Sequence, residues 1–256
     1  MSITLETGHR AVVVGGGGTI GAAICRAYAA AGAAVLALDA DEAAARSAVA
    51  GLPGSAHQAV ALDVTDLIAV RAAAAAAGGV SSVCYAAGVA PTSDVLEFDW
   101  DGYRQAMAVN LDGALSVAHA FGQVMATAGR HGSFCFLSSV AGRRGEAGAA
   151  AYCASKFALL GATESFAAEA GPRGIRVNAV CPGNVASPML TRVARAQAAR
   201  HGTSEAAELE AAAAAAALRR LVRPDEVAGV VVWLASEHAS AVTGAVIEVT
   251  AGLWLT

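Results

Sequence analysis

The sequence predicts an α/β architecture: a parallel sheet with helices on both faces. Three observations carry this. Short, almost wholly apolar runs alternate with longer helical patterns from one end of the chain to the other. Strands apolar on both sides belong to sheets covered on both faces, and such sheets are parallel. A run of four glycines, Gly15 to Gly18, stands between the first apolar run and the first helical pattern. No linker or break of composition divides the 256 residues, so a single domain over 1–256 is expected.

The elements follow in order. AVVV at 11–14 reads as a strand, and Ile20 to Ala31 as a helix stopped near Gly32. AVLALD at 34–39 is a strand and Asp41 to Ala50 a helix. HQAVALD at 57–63 is a strand, with Thr65 placed to N-cap the alanine-rich helix after it. VSSVCYAAG at 80–88 is a strand and turn, Asp99 to Ala128 one long helix, and SFCFLSS at 133–139 a strand. Ala149 to Ala170 is a helix and GIRVNAV at 174–180 a strand. Ser187 to Arg220 is polar and alanine-rich, one helix or more, with the run at 211–217 helix-favouring and a lid over about 188–220. Asp225 to Ser236 is a helix and AVIEVT at 245–250 the last strand.

Composition narrows the function. The apolar fraction is 56%, much of it alanine, with ample Val, Leu and Ile for a core. Net charge is −4 and no basic cluster exists, which speaks against a nucleic-acid partner. The start, MSITLETGHR, carries Glu6 ahead of an apolar run that breaks at the glycines, unlike a secretory signal. The longest uncharged stretch, 72–93, holds Gly78, Gly79 and Pro91 and reads as helix end, strand and loop, not a membrane span. The five cysteines form no C-x-x-C, and most stand in apolar runs, as in a reduced cytoplasmic protein. Cys153 adjoins Tyr152 without a His/Asn pattern to activate it and is expected to fill core. No histidine has metal-ligand spacing, and no metal is expected.

Two stretches carry chemistry. In Gly132 to Ala158, a buried strand ends in a Ser pair and a Gly/Arg loop leads into a helix bearing Tyr152 and Lys156. Four residues apart, these two share one helix face. Ser139, thirteen residues before Tyr152, stands at the strand end. A free tyrosine, with a pKa of about 10, transfers protons poorly near neutrality. A neighbouring ammonium favours the phenolate, and a serine hydroxyl can bond the oxygen that gains or loses the proton. In VVVGGGGTIGAAI, Gly16, Gly18 and Gly21 fit G-x-G-x-x-G, and Gly15, Gly18 and Gly21 fit G-x-x-G-x-x-G. Glycines between strand and helix let backbone amides and the helix N-terminus hold a diphosphate, which makes the sheet Rossmann-like and doubly wound, with its ligand crevice at the strand C-termini. Asp39 ends the second strand, where an acid accepts ribose hydroxyls and repels a 2′-phosphate; Asp41 adds to the repulsion, favouring NAD over NADP. The alternative for Asp39 is a helix N-cap. Asp63 ends the third strand and either meets the adenine amino group or serves as a cap or turn acid.

With these motifs in order, the chain resembles the short-chain dehydrogenase/reductase family over essentially its full length. The matching pieces are the loop at 15–21, Asp39, Asp63-Val64, Ala87-Gly88, Asn110 within MAVNLDG, Ser139, Tyr152-x-x-x-Lys156, Pro182-Gly183 within NAVCPGNVASPM, RPDEVAGVVVWLAS at 223–236 and SAVTGAVIEV at 240–249. The resemblance implies that Tyr152 is the general acid/base and that Lys156 lowers its pKa and binds the nicotinamide ribose. It implies that Ser139 polarises the substrate oxygen and that Asn110 opens the helix to a water in a proton relay. Pro182, Val185 and Ser187 would hold the nicotinamide. Gly15, Gly18, Thr19, Ile20, Gly21, Asp39, Asp63, Val64, Ala87 and Gly88 would complete the NAD site. A homo-oligomer, tetramer or dimer, is also implied, with Val227 to Ala235 and Ala245 to Val249 as candidate contacts.

Departures from the family pattern are specific. Val14 replaces the usual Thr and Thr19 the middle Gly of the loop, leaving Gly18 to restore close backbone approach. Tyr85-Ala86-Ala87-Gly88 replaces Asn-Asn-Ala-Gly, so packing must hold the sheet where two Asn would brace it. Ser187 stands where Thr is commoner, and Thr250-Ala251-Gly252 replaces Asp-Gly-Gly, altering the carboxyl-terminal turn. The expected function is an NAD-dependent oxidoreductase interconverting a secondary alcohol and a ketone. The alternative is a non-catalytic nucleotide-binding or scaffold protein retaining the fold, favoured by the altered loop and Tyr85 and opposed by the Asn110, Ser139, Tyr152 and Lys156 set. An epimerase or dehydratase of the same broad fold matches the G-x-x-G-x-x-G loop but would need a longer carboxyl-terminal substrate domain. The substrate is expected to be a small molecule walled by 89–95, 140–148 and the lid. Arg143 and Arg144 are either solvated or partners of an acidic substrate group, and Glu146 is open to both readings.

Overall fold

A computed structural model describes residues 3–129 and 131–253. The strands are β1 (Arg10–Val14), β2 (Ala34–Asp39), β3 (Gln58–Ala61), β4 (Ser82–Tyr85), β5 (Gly132–Leu137), β6 (Ile175–Pro182) and β7 (Val246–Val249). They form one parallel sheet in the order β3-β2-β1-β4-β5-β6-β7. The order reverses between β1 and β4, which opens a crevice at their carboxyl ends. The helices are α1 (Thr19–Ala30), α2 (Glu42–Val49), α3 (Leu67–Ala77), α4 (Trp100–Ala106), α5 (Gly113–Thr127), α6 (Ala150–Ala170), α7 (Pro188–His201), α8 (Glu205–Ala214) and α9 (Pro224–Ala235).

Side chains alternate across the pleat, so each strand feeds two cores. Ala11 and Val13 pack with Ile24 and Tyr28 of α1 and Val227 and Val231 of α9, while Val12 and Val14 pack with Val70 of α3 and Val117 and Phe121 of α5. Tyr85 and Phe136 belong to the second core, and Cys84, Cys135 and Leu137 to the first. All five cysteines are buried and free. Two buried polar residues inside the strands are paired: Ser133 Oγ donates to Leu234 O at 3.1 Å, and Asn178 Nδ2 donates to Val242 O at 2.9 Å. Among the described residues no helix is long and apolar enough to cross a membrane.

Four expectations are corrected. The helix expected over 99–128 is broken by a π-helical segment, Met107–Asp112, between α4 and α5. The N-cap of α3 is Asp66, whose side chain accepts from Ile68 and Ala69 N–H; Thr65 is instead held by Asp63 Oδ1, which accepts from its backbone N–H at 2.9 Å and its hydroxyl at 2.7 Å. The third strand covers only Gln58–Ala61, as it pairs on one side alone, with β2. The alanine run leaves the helix at Ala214, and Ala216 then bridges to Leu253. That bridge, with Leu218 N–H donating to Ala251 O at 3.0 Å, ties the end of the 188–220 segment to the altered carboxyl-terminal turn.

Candidate active site

The glycine loop turns sharply out of β1. Gly15 has φ +78°, a conformation that L side chains rarely adopt. Gly15 and Gly16 N–H both donate to Leu38 O, at 2.7 and 3.0 Å, which pins the loop to β2. A Cβ on Gly21 would stand 2.0 Å from Gly15 O, and one on Gly15 2.4 Å from Ala87 N. These two positions are closed to any side chain. Gly18 behaves differently: a Cβ there would meet only Gly15 O, at 3.4 Å. Gly18 caps α1 in extended conformation. Gly17 does more, since a Cβ there would press on Ala44 of α2, and its N–H donates to Asp39 Oδ2 at 2.9 Å.

Asp39 is not a helix cap; that role falls to Asp41, which accepts from Ala44 N–H. The Asp39 carboxylate lies under the glycine loop, with Oδ1 accepting from Asp41 N–H at 3.0 Å. Asp63 takes the turn-acid role through Thr65, whose backbone and hydroxyl bonds pull its pKa down. Val64 is buried in the second core, away from solvent.

Beyond β5, Ser138 and Ser139 lead into a 3₁₀ turn, Val140–Gly142. Ser138 Oγ donates to Lys156 O at 3.0 Å, and Lys156 Nζ donates to Leu137 O at 2.8 Å. These two bonds stitch the strand end to α6 and bring Ser139 to Tyr152. Lys156 Nζ lies 5.8 Å from the Tyr152 ring centroid. Burial pushes Lys156 down to about 8. Burial also pushes Tyr152 up to about 12, with the Ser139 hydroxyl bond opposing and the Glu146 charge adding to the rise. Burial of the phenol outweighs the help it receives from the Ser139 hydroxyl.

Asn110 lies in the π segment, fully buried. Its Oδ1 accepts from Val89 N–H at 2.8 Å, and its Nδ2 donates to Val89 O and to Ser155 Oγ, both at 2.9 Å. Ser155 Oγ in turn donates to Tyr152 O at 2.8 Å. Ser155 was missed from sequence; its place one residue before Lys156 on a buried face was the available signal. Gly88 admits this arrangement, since a Cβ on it would stand 3.3 Å from Asn110 Oδ1 and 3.5 Å from Lys156 Nζ.

Ile20, Ala87, Gly88, Ser139, Tyr152, Lys156, Pro182, Val185 and Ser187 all line one cleft of about 180 Å³ at the carboxyl ends of the strands. Glu146, Thr92 and Met189, Leu190 and Val193 of α7 complete its walls. Burial raises Glu146. Arg143 pairs with Glu248 at 3.2 Å and is not a wall of the cleft. Ser187 is the N-cap of α7, accepting from Leu190 N–H at 3.3 Å and donating to Val185 O at 3.1 Å. Cys153 is buried, its sulfur accepting from Glu146 N–H, as core filler would be. A larger cavity of about 820 Å³ opens at the opposite, amino-terminal ends of the strands and holds none of these residues. Among the described residues no three His, Cys, Asp or Glu side chains converge to hold a metal.

A doubly wound sheet with a closed glycine turn, an acid beneath it and a Tyr/Lys/Ser group across the crevice defines a dinucleotide-dependent enzyme class. Comparison with known proteins agrees. A family model described as enoyl-(acyl carrier protein) reductase matches residues 16–254. Galactitol 2-dehydrogenase (L-tagatose-forming) of Cereibacter sphaeroides is 38% identical over 96% of this chain and 94% of its own. The (3R)-3-hydroxyacyl-CoA dehydrogenase of Homo sapiens is 34% identical over 96% and 95%. A solved structure of a single-residue variant of actinorhodin polyketide ketoreductase with NADPH superposes with TM-score 0.92 at 28% identity, covering 97% of this chain and 98% of that one. The chain belongs to the short-chain dehydrogenase/reductase family of oxidoreductases, which use a nicotinamide cofactor.

Proposed function

We propose that the protein is an NAD-dependent dehydrogenase and ketone reductase acting on a small secondary alcohol, with Tyr152 as its general acid/base. The observation that carries this reading is the convergence of Tyr152, Ser139 and Lys156 on one cleft beside the glycine turn. The turn fits a diphosphate: the positions closed to a Cβ leave its backbone bare beside the N-terminus of α1. Pro182, Val185 and Ser187 would hold a nicotinamide, whose chemistry there would be to supply or accept a hydride.

The protein's own residues do the rest. Ser139 Oγ holds the substrate oxygen. Tyr152 Oη takes the hydroxyl proton on oxidation and returns it on reduction. With its pKa about 12, Tyr152 rests as the neutral phenol, so positive charge beside Oη is what the reaction needs. Lys156 supplies it: with a pKa of about 8 it is mostly protonated at neutrality, and one of its three N–H bonds is engaged by Leu137 O. The other two are available to a ribose and to the phenolate. Asn110 fixes the Val89 loop and, through Ser155, the turn of α6 that bears Tyr152.

Preference for NAD rests on Asp39, whose carboxylate under the loop repels a 2′-phosphate. Homo-oligomerisation through α9 and β7 belongs to the same reading. The likeness to galactitol 2-dehydrogenase and the Glu146 carboxylate in the cleft put polyols first among substrates.

The test follows reduced-nicotinamide absorbance with NAD or NADP across sugar alcohols, hydroxyacyl thioesters, cyclic alcohols and steroids. Turnover with NAD that vanishes in Tyr152→Phe while NAD still binds supports the reading. Full turnover in that variant overturns the role of Tyr152, and a wild type preferring NADP overturns the role of Asp39.

A further inference from the structure

The helix that carries Asn110 changes register opposite the end of β4. In an α-helix the Gly113 N–H would donate to Val109 O, four residues back. Here it donates to Ala108 O, five back, so Val109 O loses its α-helical donor. The Tyr85 hydroxyl donates to Val109 O instead. Tyr85 is the last residue of β4 and is almost completely buried. Its Oη occupies the space beside Gly113, 2.6 Å from where a Cβ on that glycine would stand. Burial raises its pKa, so the phenol keeps the proton it donates.

We propose that Tyr85 is a positioning residue: its hydroxyl holds the chain in the π register at Met107–Asp112 and thereby places Asn110. A π segment needs a donor for the carbonyl its widened turn strands, and Tyr85 reaches that carbonyl from the sheet. From Asn110 the connection runs through Ser155 Oγ to Tyr152 O, and through Val89 to the cleft wall. Without the hydroxyl, Gly113 N–H is drawn back to Val109 O, the turn tightens, and Asn110 rotates away from Ser155. Tyr85 thus replaces by a hydrogen bond what the sequence assigned there to packing alone, which corrects that expectation.

This inference rests on the reading that Asn110 and Tyr152 belong to the catalytic group. Phenylalanine keeps the ring in the core, so Tyr85→Phe removes the hydroxyl alone, and an NAD titration reports that the fold is intact. The experiment combines kinetics with amide hydrogen exchange over 107–114 in the wild type, Tyr85→Phe, Asn110→Ala and the double variant. In Tyr85→Phe the exchange pattern over 107–114 changes and kcat falls about tenfold or more, KM moving less, as expected for a displaced catalytic group. In the Asn110→Ala background the same change lowers kcat less than about twofold, because the residue it acts through is gone. Unchanged exchange over 107–114 overturns the proposal, as do losses that multiply in the double variant. If Asn110→Ala keeps full kcat, the catalytic reading of Asn110 fails separately, and the exchange pattern alone then decides whether Tyr85 holds the register.

Discussion

The path of the glycine loop predicts opposite outcomes for two substitutions three residues apart. In Gly21→Ala, the new Cβ would stand 2.0 Å from Gly15 O, where ordinary contact begins near 3.4 Å. Either α1 or the Gly15 carbonyl must therefore move by more than about 1 Å, in a region tied to Leu38 O by two hydrogen bonds. Overpacking of this kind costs about 1–3 kcal/mol, and at roughly 2–4 °C per kcal/mol for a chain of this size Tm should fall by about 2–12 °C. Because the displaced backbone is the proposed diphosphate cradle, NAD affinity should fall at least about tenfold, or about 1.4 kcal/mol. In Gly18→Ser the Cβ meets nothing closer than 3.4 Å, and Gly18 already has the extended φ of −69° and ψ of 164° that an N-cap adopts. A serine there can accept from the first turn of α1, which has no side-chain cap. The gain should be a few tenths of a kcal/mol, with cofactor affinity held within about threefold. Thermal melts and calorimetric NAD titrations of both variants test this. Wild-type affinity in Gly21→Ala, or equal losses in the two, would refute the loop path.

Two further predictions concern charge. Glu146 raises Tyr152, so Glu146→Gln should lower the Tyr152 pKa and shift the tyrosine limb of the kcat/KM profile to lower pH; an unmoved or upward-shifted limb would refute the coupling. His9 is buried against Ser82, and burial lowers its pKa from 6.5 to about 4. Between those values the unfolded chain binds more protons than the folded one, so stability rises with pH across pH 4–6.5, by up to about 3 kcal/mol. His9→Asn should flatten that part of the curve of urea midpoint against pH, and an unchanged slope would assign the acid sensitivity to other groups.

The parts legible in the sequence are those set by local pattern. Val12, Val13 and Val14 are apolar on both faces because both faces are buried, and that is visible in the string. Tyr152 and Lys156 are four apart on a helix and could only share a face. Asp39 marks the end of β2 by its charge, and its position under the loop follows from the parallel pairing with β1. What escaped the sequence was decided by competition between near-equivalent groups. Thr65 and Asp66 are both good N-caps, and Asp63 settles the matter by holding Thr65 two residues on. Gly15 through Gly18 fit two glycine spacings equally, and only the contacts of Gly15 with Ala87 and of Gly21 with Gly15 show which positions are closed.

The π segment shows most clearly why a local reading stops short. Met107 to Asp112 has an ordinary helical composition, and only the likeness of MAVNLDG to the family motif, which implies that Asn110 opens the helix, points to a break there. The register depends on where one carbonyl finds a donor, and the donor, Tyr85, lies 24 residues earlier on a strand. The same replacement that reads as a loss in the sequence, Tyr for Asn at the end of β4, therefore has a positive role in the fold. A shorter Asn at 85 would have to reach Val109 O across the space the tyrosine ring now fills beside Val64 and Gly113. Gly113 is bare for two neighbours at once: a side chain on it would collide with the Tyr85 hydroxyl and with Val64. Together Gly113 and Tyr85 explain how the chain keeps the buried Asn110–Ser155–Tyr152 connection while departing from the family's motif at the residue that faces it.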